Sequence, residues 1–197
     1  MPHSSTISFI SYWRGLQDAP DIAPLRERFD PACLKHLVPQ MLMLSTHEDR
    51  LNFRLSGGFL VAFHGQELKG QSFLDRFRSP FLTTVQSAIG LAARRQQPLV
   101  LTLSAPWEAA KNRLPDMDED LFQSETVQFE VCLCPMLNAK GDVDRLVGIY
   151  QTLSPSPRNL KGRVGPYTLM SARIYEHHHL PRPGHLRLIA VEGRLIA

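Results

Sequence analysis

Several residue spacings in this chain imitate chemical sites, and most of them lack the groups that the chemistry requires. Gly65 and Gly70 stand five apart, as at the opening of a phosphate-binding loop, but Gln71-Ser72 occupies the place of the Lys-Ser/Thr pair that neutralises and coordinates a nucleotide. Asp116, Asp118 and Asp120 resemble the start of a calcium loop, yet Leu121 stands where the sharp turn requires Gly and Val127 where a bidentate Glu is required. His177, His178, His179 and His185 offer imidazoles to a divalent ion, but three consecutive side chains cannot all face one metal in a regular strand or helix. These residues read as turn glycines, a solvated acidic loop and a polar tail, with no metal site. Cys132 and Cys134 are two apart in an alternating segment, where bridging each other would strain the backbone, and no neighbouring basic residue lowers a thiol pKa. There is no Gly-x-Ser-x-Gly elbow, and His64 has no local Ser or Asp arrangement of a triad. An enzyme reading is left with His64, Glu67 or Glu130 as acid or base, and no catalytic residue is assigned.

Elements must position whatever these residues do, and composition bounds them first. At 197 residues, 43% hydrophobic and 21% charged, the chain suits one globular domain with an appendage. The longest apolar runs fall far below the ~20 residues that span a bilayer, and no charged-then-apolar leader is present, so a cytoplasmic location without a membrane span is expected. Residues 1–154 carry 15 Lys/Arg against 17 Asp/Glu, whereas residues 155–197 carry 7 against 2. The body is mildly acidic and the tail basic. The tail has few aromatics among its basic residues, so no nucleic-acid partner is expected.

Apolar spacing at Ile7, Ile10, Trp13 and Leu16 predicts a short amphipathic helix. Asp30-Pro31 starts a second, with Leu34, Leu37 and Val38 as its buried stripe and Pro39 limiting it to about two turns. Met41 to Ser45 and the alternating Leu51, Phe53 and Leu55 read as a hairpin, broken by Gly57-Gly58. Phe59 to Phe63 forms one helical turn, and Ser72 with Asp75 has the spacing of a capping box for another at Phe73 to Phe77. After Ser79-Pro80, Val85, Ile89 and Ala92 mark the longest helix. Strands follow at Leu99 to Ser104, Val127 to Cys134 and Val143 to Leu153, the last two joined by a turn at Asn138 to Gly141. On the middle strand Val127, Phe129, Val131 and Leu133 face the interior. Glu130, Cys132, Cys134 and Met136 need cover, for which the Trp13 helix is the candidate. Ala105 to Glu125 is a Pro- and acid-rich insertion, and the chain beyond Leu153 has the composition of a linker, with Tyr167 to Tyr175 able to add a strand.

This order is α+β. The segment from Phe63 through Gly65, Gly70 and Phe73 to Phe77, together with Tyr12-Trp13-Arg14, Asp30-Pro31, FRLSGG and His185-Leu-Arg-Leu188, resembles a bacterial family of small single-domain PAS proteins. The resemblance implies a five-stranded antiparallel sheet with short helices and one long helix on one face. To that it adds an N-terminal helix and a C-terminal extension. Divided accordingly, residues 1–40 are a helical cap, 41–154 the PAS-like domain with an insertion at 105–125, and 155–197 a basic, His-rich extension. It also implies a sensory or regulatory module in signal transduction that binds a small apolar ligand or docks on a signalling protein. Neither a flavin nor a haem motif is evident, so the cofactor is left unassigned. Phe53, Phe59, Phe63, Leu74, Phe77, Val85, Ile89 and Phe129 are the candidate pocket lining. A small enzyme, and an assembly protein that dimerises through the Trp13 helix, are the alternatives.

Overall fold

The computed structural model describes residues 1–47, 50–109, 126–154 and 162–176, and two-residue strands at Ala190–Val191 and Arg194–Leu195. Its centre is an antiparallel sheet of β1 (Met41–His47), β2 (Arg50–Ser56), β3 (Leu99–Ala109), β4 (Thr126–Leu137), β5 (Val143–Thr152), β6 (Gly162–Val164) and β7 (Thr168–Ile174). The spatial order β2-β1-β5-β4-β3 gives the five expected strands. The sheet has seven, because β6 and β7 both pair with the outer edge of β3. β7 lies along Leu99 to Ser104, and β6 along Trp107 to Ala109. That second stretch is possible because β3 runs on to Ala109, into the segment expected to be an insertion, and pairs Pro106 with Thr126 of β4. The remainder of that segment, with its Asp116-x-Asp118-x-Asp120 spacing, and the His177 to His185 cluster lie outside the described residues.

Each face of the sheet has its own core. One face packs α2 (Gly58–His64), a 3-10 turn at Leu74–Arg76 and α3 (Leu82–Arg95) over Leu101, Phe129, Val131 and Tyr150. The other face is covered by α1 (Ser4–Gly15), whose Phe9, Ile10 and Trp13 are fully buried against Cys132, Cys134, Met136 and Ile149. Trp13 also donates its ring N–H to the Pro135 carbonyl at 2.9 Å, and Thr6 donates to Glu130 at 2.8 Å. The polar and sulfur-bearing side of β4 is thus covered by the helix expected to cover it.

Local chemistry fixes the connections. Asp30 accepts from the Ala32 N–H and begins a 3-10 helix over Pro31–Gln40 that buries Leu34 and Leu37. Val38, expected in that stripe, is exposed, because the helix follows the three-residue period and kinks at Leu34. Leu55 is also exposed where burial was expected. The pairs Leu44–Phe53 and Met43–Leu55 leave Arg54 as the extra residue of a bulge, which breaks the alternation. Gly65 closes α2 in the left-handed conformation at φ 64°. The Ser72–Asp75 capping box does not form: the turn that follows has no side-chain cap. Residues 70–73 instead add to the edge of β2, where Gly70 and Phe73 donate to the carbonyls of Phe53 and Leu51 at 2.7 Å and Phe53 donates to the Gln71 carbonyl at 2.9 Å. No helix among the described residues is long and apolar enough to cross a membrane.

Candidate functional site

The eight residues proposed from sequence as pocket lining all converge on the face covered by α2 and α3. Phe53, Phe63, Phe77, Val85, Ile89 and Phe129 are buried in one cluster, with Phe59 and Leu74 half-buried at its perimeter. Their rings pack on one another and on the core: Phe53 lies 5.8 Å from Phe73, Phe59 stacks on Phe63 at 5.4 Å, and Phe63 meets Phe129 edge-on at 5.3 Å.

Three polar residues sit inside this aromatic shell. His64 ends α2, Tyr150 projects from β5, and Tyr167 comes from the segment between β6 and β7. The Tyr167 hydroxyl lies 2.8 Å from His64 Nε2 and 3.2 Å from the Tyr150 hydroxyl. All three are buried. Burial, reinforced by the charge of Arg76, lowers the His64 pKa to about 3, so the imidazole is neutral near pH 7. Burial raises both phenols above their ordinary value; for Tyr167 the neighbouring Tyr150 adds to the effect. The network is therefore uncharged. Tyr150 donates to Tyr167 and Tyr167 to Nε2 when the histidine proton is on Nδ1, and the order reverses in the other tautomer.

Backbone bonds hold Tyr167 in place. Its N–H donates to the Arg76 carbonyl at 2.7 Å, and its carbonyl accepts from the Arg78 N–H at 3.0 Å. The ring lies 5.2 Å from Phe77 and 5.0 Å from Phe129, centroid to centroid. A residue from a stretch of linker-like composition thus fills the space between helices and sheet. Trp107 of β3 flanks Phe63 at 5.7 Å, and its buried ring nitrogen has no acceptor among the described residues. Outside this shell a cleft of about 210 Å³ opens beside His64, with Arg76 on one wall and the Glu108–Arg163 ion pair, 2.8 Å, on another.

The other chemistry-bearing residues do not join the site. Glu67 is exposed, and Glu130 lies on the opposite face of the sheet, accepting from the His3 N–H at 3.0 Å and the Thr6 hydroxyl. His64, Glu67 and Glu130 therefore share no cleft. Cys132 and Cys134 are free, buried thiols with sulfurs 3.8 Å apart, and burial pushes the Cys134 thiol up. Among the described residues no group of three or more His, Cys, Asp or Glu is placed to hold a metal ion. Trp13 faces inward, so the outward side of its helix is made of Ser4, Ser8, Ser11 and Gly15. Sequence reasoning missed Tyr150 and Tyr167. For Tyr150 a signal existed, since Leu146, Gly148 and Tyr150 alternate with Val147 and Ile149; for Tyr167, after Gly165-Pro166, there was none.

Two light-oxygen-voltage proteins are similar in structure, each with a TM-score of 0.42. One is a light-oxygen-voltage domain whose mechanism was probed with a flavin analogue, 11% identical over 62% of this chain and 83% of that one. The other is an RNA-binding light-oxygen-voltage receptor, 13% identical over 68% of this chain and 37% of that one. No curated protein matches the sequence. The family model described as PAS domain matches residues 1–151, most of the sheet together with both layers of helices. The chain belongs to the PAS domain family.

Proposed function

We propose that the chain is a sensory or regulatory module in signal transduction. Its sensing region is the aromatic space between the sheet and the layer of α2, the Leu74–Arg76 turn and α3, and a small apolar ligand enters it by displacing Tyr167. The observation that carries this reading is the burial of Tyr167 against Phe77, Phe129, His64 and Tyr150, because that ring comes from a short segment joined to β6 and β7. Displacing it would leave a space lined by Phe63, Phe77 and Phe129, with His64 and Tyr150 as convergent polar groups. The same movement would break the backbone bonds to Arg76 and Arg78 and free the short segment between β6 and β7. A signalling protein that reads this segment would then distinguish the two states.

Proton-transfer chemistry has less support. The only buried imidazole of the site is neutral and hydrogen-bonded, and the carboxylates weighed with it lie elsewhere.

The test combines native mass spectrometry of the purified protein with a thermal-shift screen of small apolar compounds and amide spectra of the hits. The expected result is a retained or added ligand that raises Tm, moves the Tyr167 amide signal and binds at least about tenfold more tightly to Tyr167→Ala, where the space is already open. A protein that retains nothing and responds to no compound, in wild type and variant alike, would overturn the reading.

A further inference from the structure

The cleft beside His64 combines a cation with an unusual lack of partners. Arg76 is half-buried and lines the cleft. Its Nη2 donates to the Gln71 side-chain oxygen at 2.8 Å, and among the described residues its buried Nε has no acceptor and it forms no ion pair with a carboxylate. A guanidinium partly removed from water and left without an anion is unfavourable, and an incoming anion offsets that cost. The second arginine of the cleft, Arg163, is exposed and already paired with Glu108.

We propose that this cleft binds a small, singly charged carboxylate, with Arg76 holding the carboxylate group and Gln66 and Arg163 lining the entrance. The inference rests on the reading of the chain as a ligand-responsive module and names a ligand class for its entrance. At about 210 Å³ the cleft is smaller than the roughly 300–1,000 Å³ that accommodates drug-sized ligands. Asp75 and Glu108, also in the lining, repel a second negative charge, so nucleotides and other polyanions are disfavoured. Arg76 offers the planar fork that matches a carboxylate. His64 is neutral and contributes no charge to the floor. Arg76 also supplies the backbone carbonyl that holds the Tyr167 N–H, so the residue that takes the anion is itself part of the latch of the aromatic interior.

The experiment titrates the full chain with acetate, lactate and benzoate, with benzamide as the uncharged control and inorganic phosphate as the multiply charged one, followed by amide spectra. At least one carboxylate is expected to bind saturably and to shift Gln66 and Gly165. It should bind more tightly than benzamide or phosphate and lose about tenfold or more in affinity in Arg76→Gln. Arg76→Lys, which keeps the charge and loses the fork, should fall between wild type and Arg76→Gln, and serves as the measure if Arg76→Gln does not fold. No saturable carboxylate binding, equal binding of benzamide or phosphate, or indifference to the Arg76 variants overturns the inference. If the carboxylates fail while apolar compounds still move the Tyr167 signal, only the carboxylate site falls. If neither class binds, both readings fall.

Discussion

Tyr167 holds two other polar side chains satisfied, so removing a single oxygen has consequences beyond its own hydrogen bonds. Tyr167→Phe keeps the ring against Phe77 and Phe129 but leaves His64 Nε2 and the Tyr150 hydroxyl without their shared partner. A buried group stripped of its partner costs about 1–3 kcal/mol, so urea unfolding at pH 7 should show a loss in that range. Tyr150→Phe, which leaves the 2.8 Å bond to His64 intact, should cost less. His64 gives the network a pH signature. Its folded pKa of about 3 lies below its ordinary 6.5, so the unfolded chain takes up a proton that the folded one refuses. The stabilisation is complete above pH 6.5 and is lost progressively as pH falls from 6.5 toward 3. Between pH 7 and pH 5 the wild type should lose about 2 kcal/mol more than His64→Gln, at ~1.4 kcal/mol per pH unit below 6.5. Equal slopes for the two proteins in urea titrations would show that the imidazole is not held neutral by the fold.

Among the elements, α1 carries a load out of proportion to its twelve residues. It alone places Phe9, Ile10 and Trp13 over the two buried thiols. Trp13→Ala removes a fully buried ring and the bond to Pro135, for an expected cost of about 3–5 kcal/mol, and Cys132 and Cys134 should become reactive toward a thiol reagent that otherwise reaches Cys33 first. Where β4 and β5 pair, Gly148 stands opposite Leu133 with no room for a side chain, because a Cβ there would collide with the Cys132 carbonyl. Gly148→Ala should therefore reduce soluble yield or lower Tm sharply, whereas Gly90→Ala in α3, where a Cβ meets only the end of the Arg94 side chain, should be nearly neutral or stabilising. These elements also show what the sequence made legible. The alternation of Val127 to Leu133 and the helical spacing of Ile7 to Leu16 each mark a two-sided amphipathic element, so the faces, and even the helix that covers the Cys132 side, could be read from one-dimensional periods. Leu55 and Val38 escaped because a bulge and a 3-10 period alter the count locally. Arg76 escaped too, since nothing in a single charged residue tells that it will pair with no carboxylate among the described residues. The eight apolar residues proposed for the pocket did gather in one place, but the ring that fills their centre comes from a segment whose glycines and prolines gave no periodic signal at all.

At the scale of the molecule, the family match and the folded unit end at different points. The match stops at residue 151, whereas β6, Tyr167 and β7 continue the structure to Ile174. The chain beyond β5 covers the outer edge of β3 with two strands, puts Tyr167 between the helices and the sheet, and sends Tyr175 and Glu176 back to the start of the molecule, where their carbonyls accept from Arg14 of α1. An edge strand left bare offers its unpaired N–H and C=O groups to other chains, and a buried site emptied of an aromatic ring loses packing on every side. A chain of residues 1–153 would suffer both at once: β3 would be exposed from Leu99 to Ala109, and His64 and Tyr150 would face a void. It should therefore aggregate or bind a hydrophobic dye and unfold without a sharp transition. A chain of residues 1–176 should unfold cooperatively within a few degrees of the full protein. Matched melting curves with dye binding decide it: if residues 1–153 melt as cooperatively and as high as residues 1–176, the C-terminal strands are an attachment to a self-sufficient sheet. If they do not, Tyr167 is part of the folded unit, and any signal that expels it does so against the stability of the whole module.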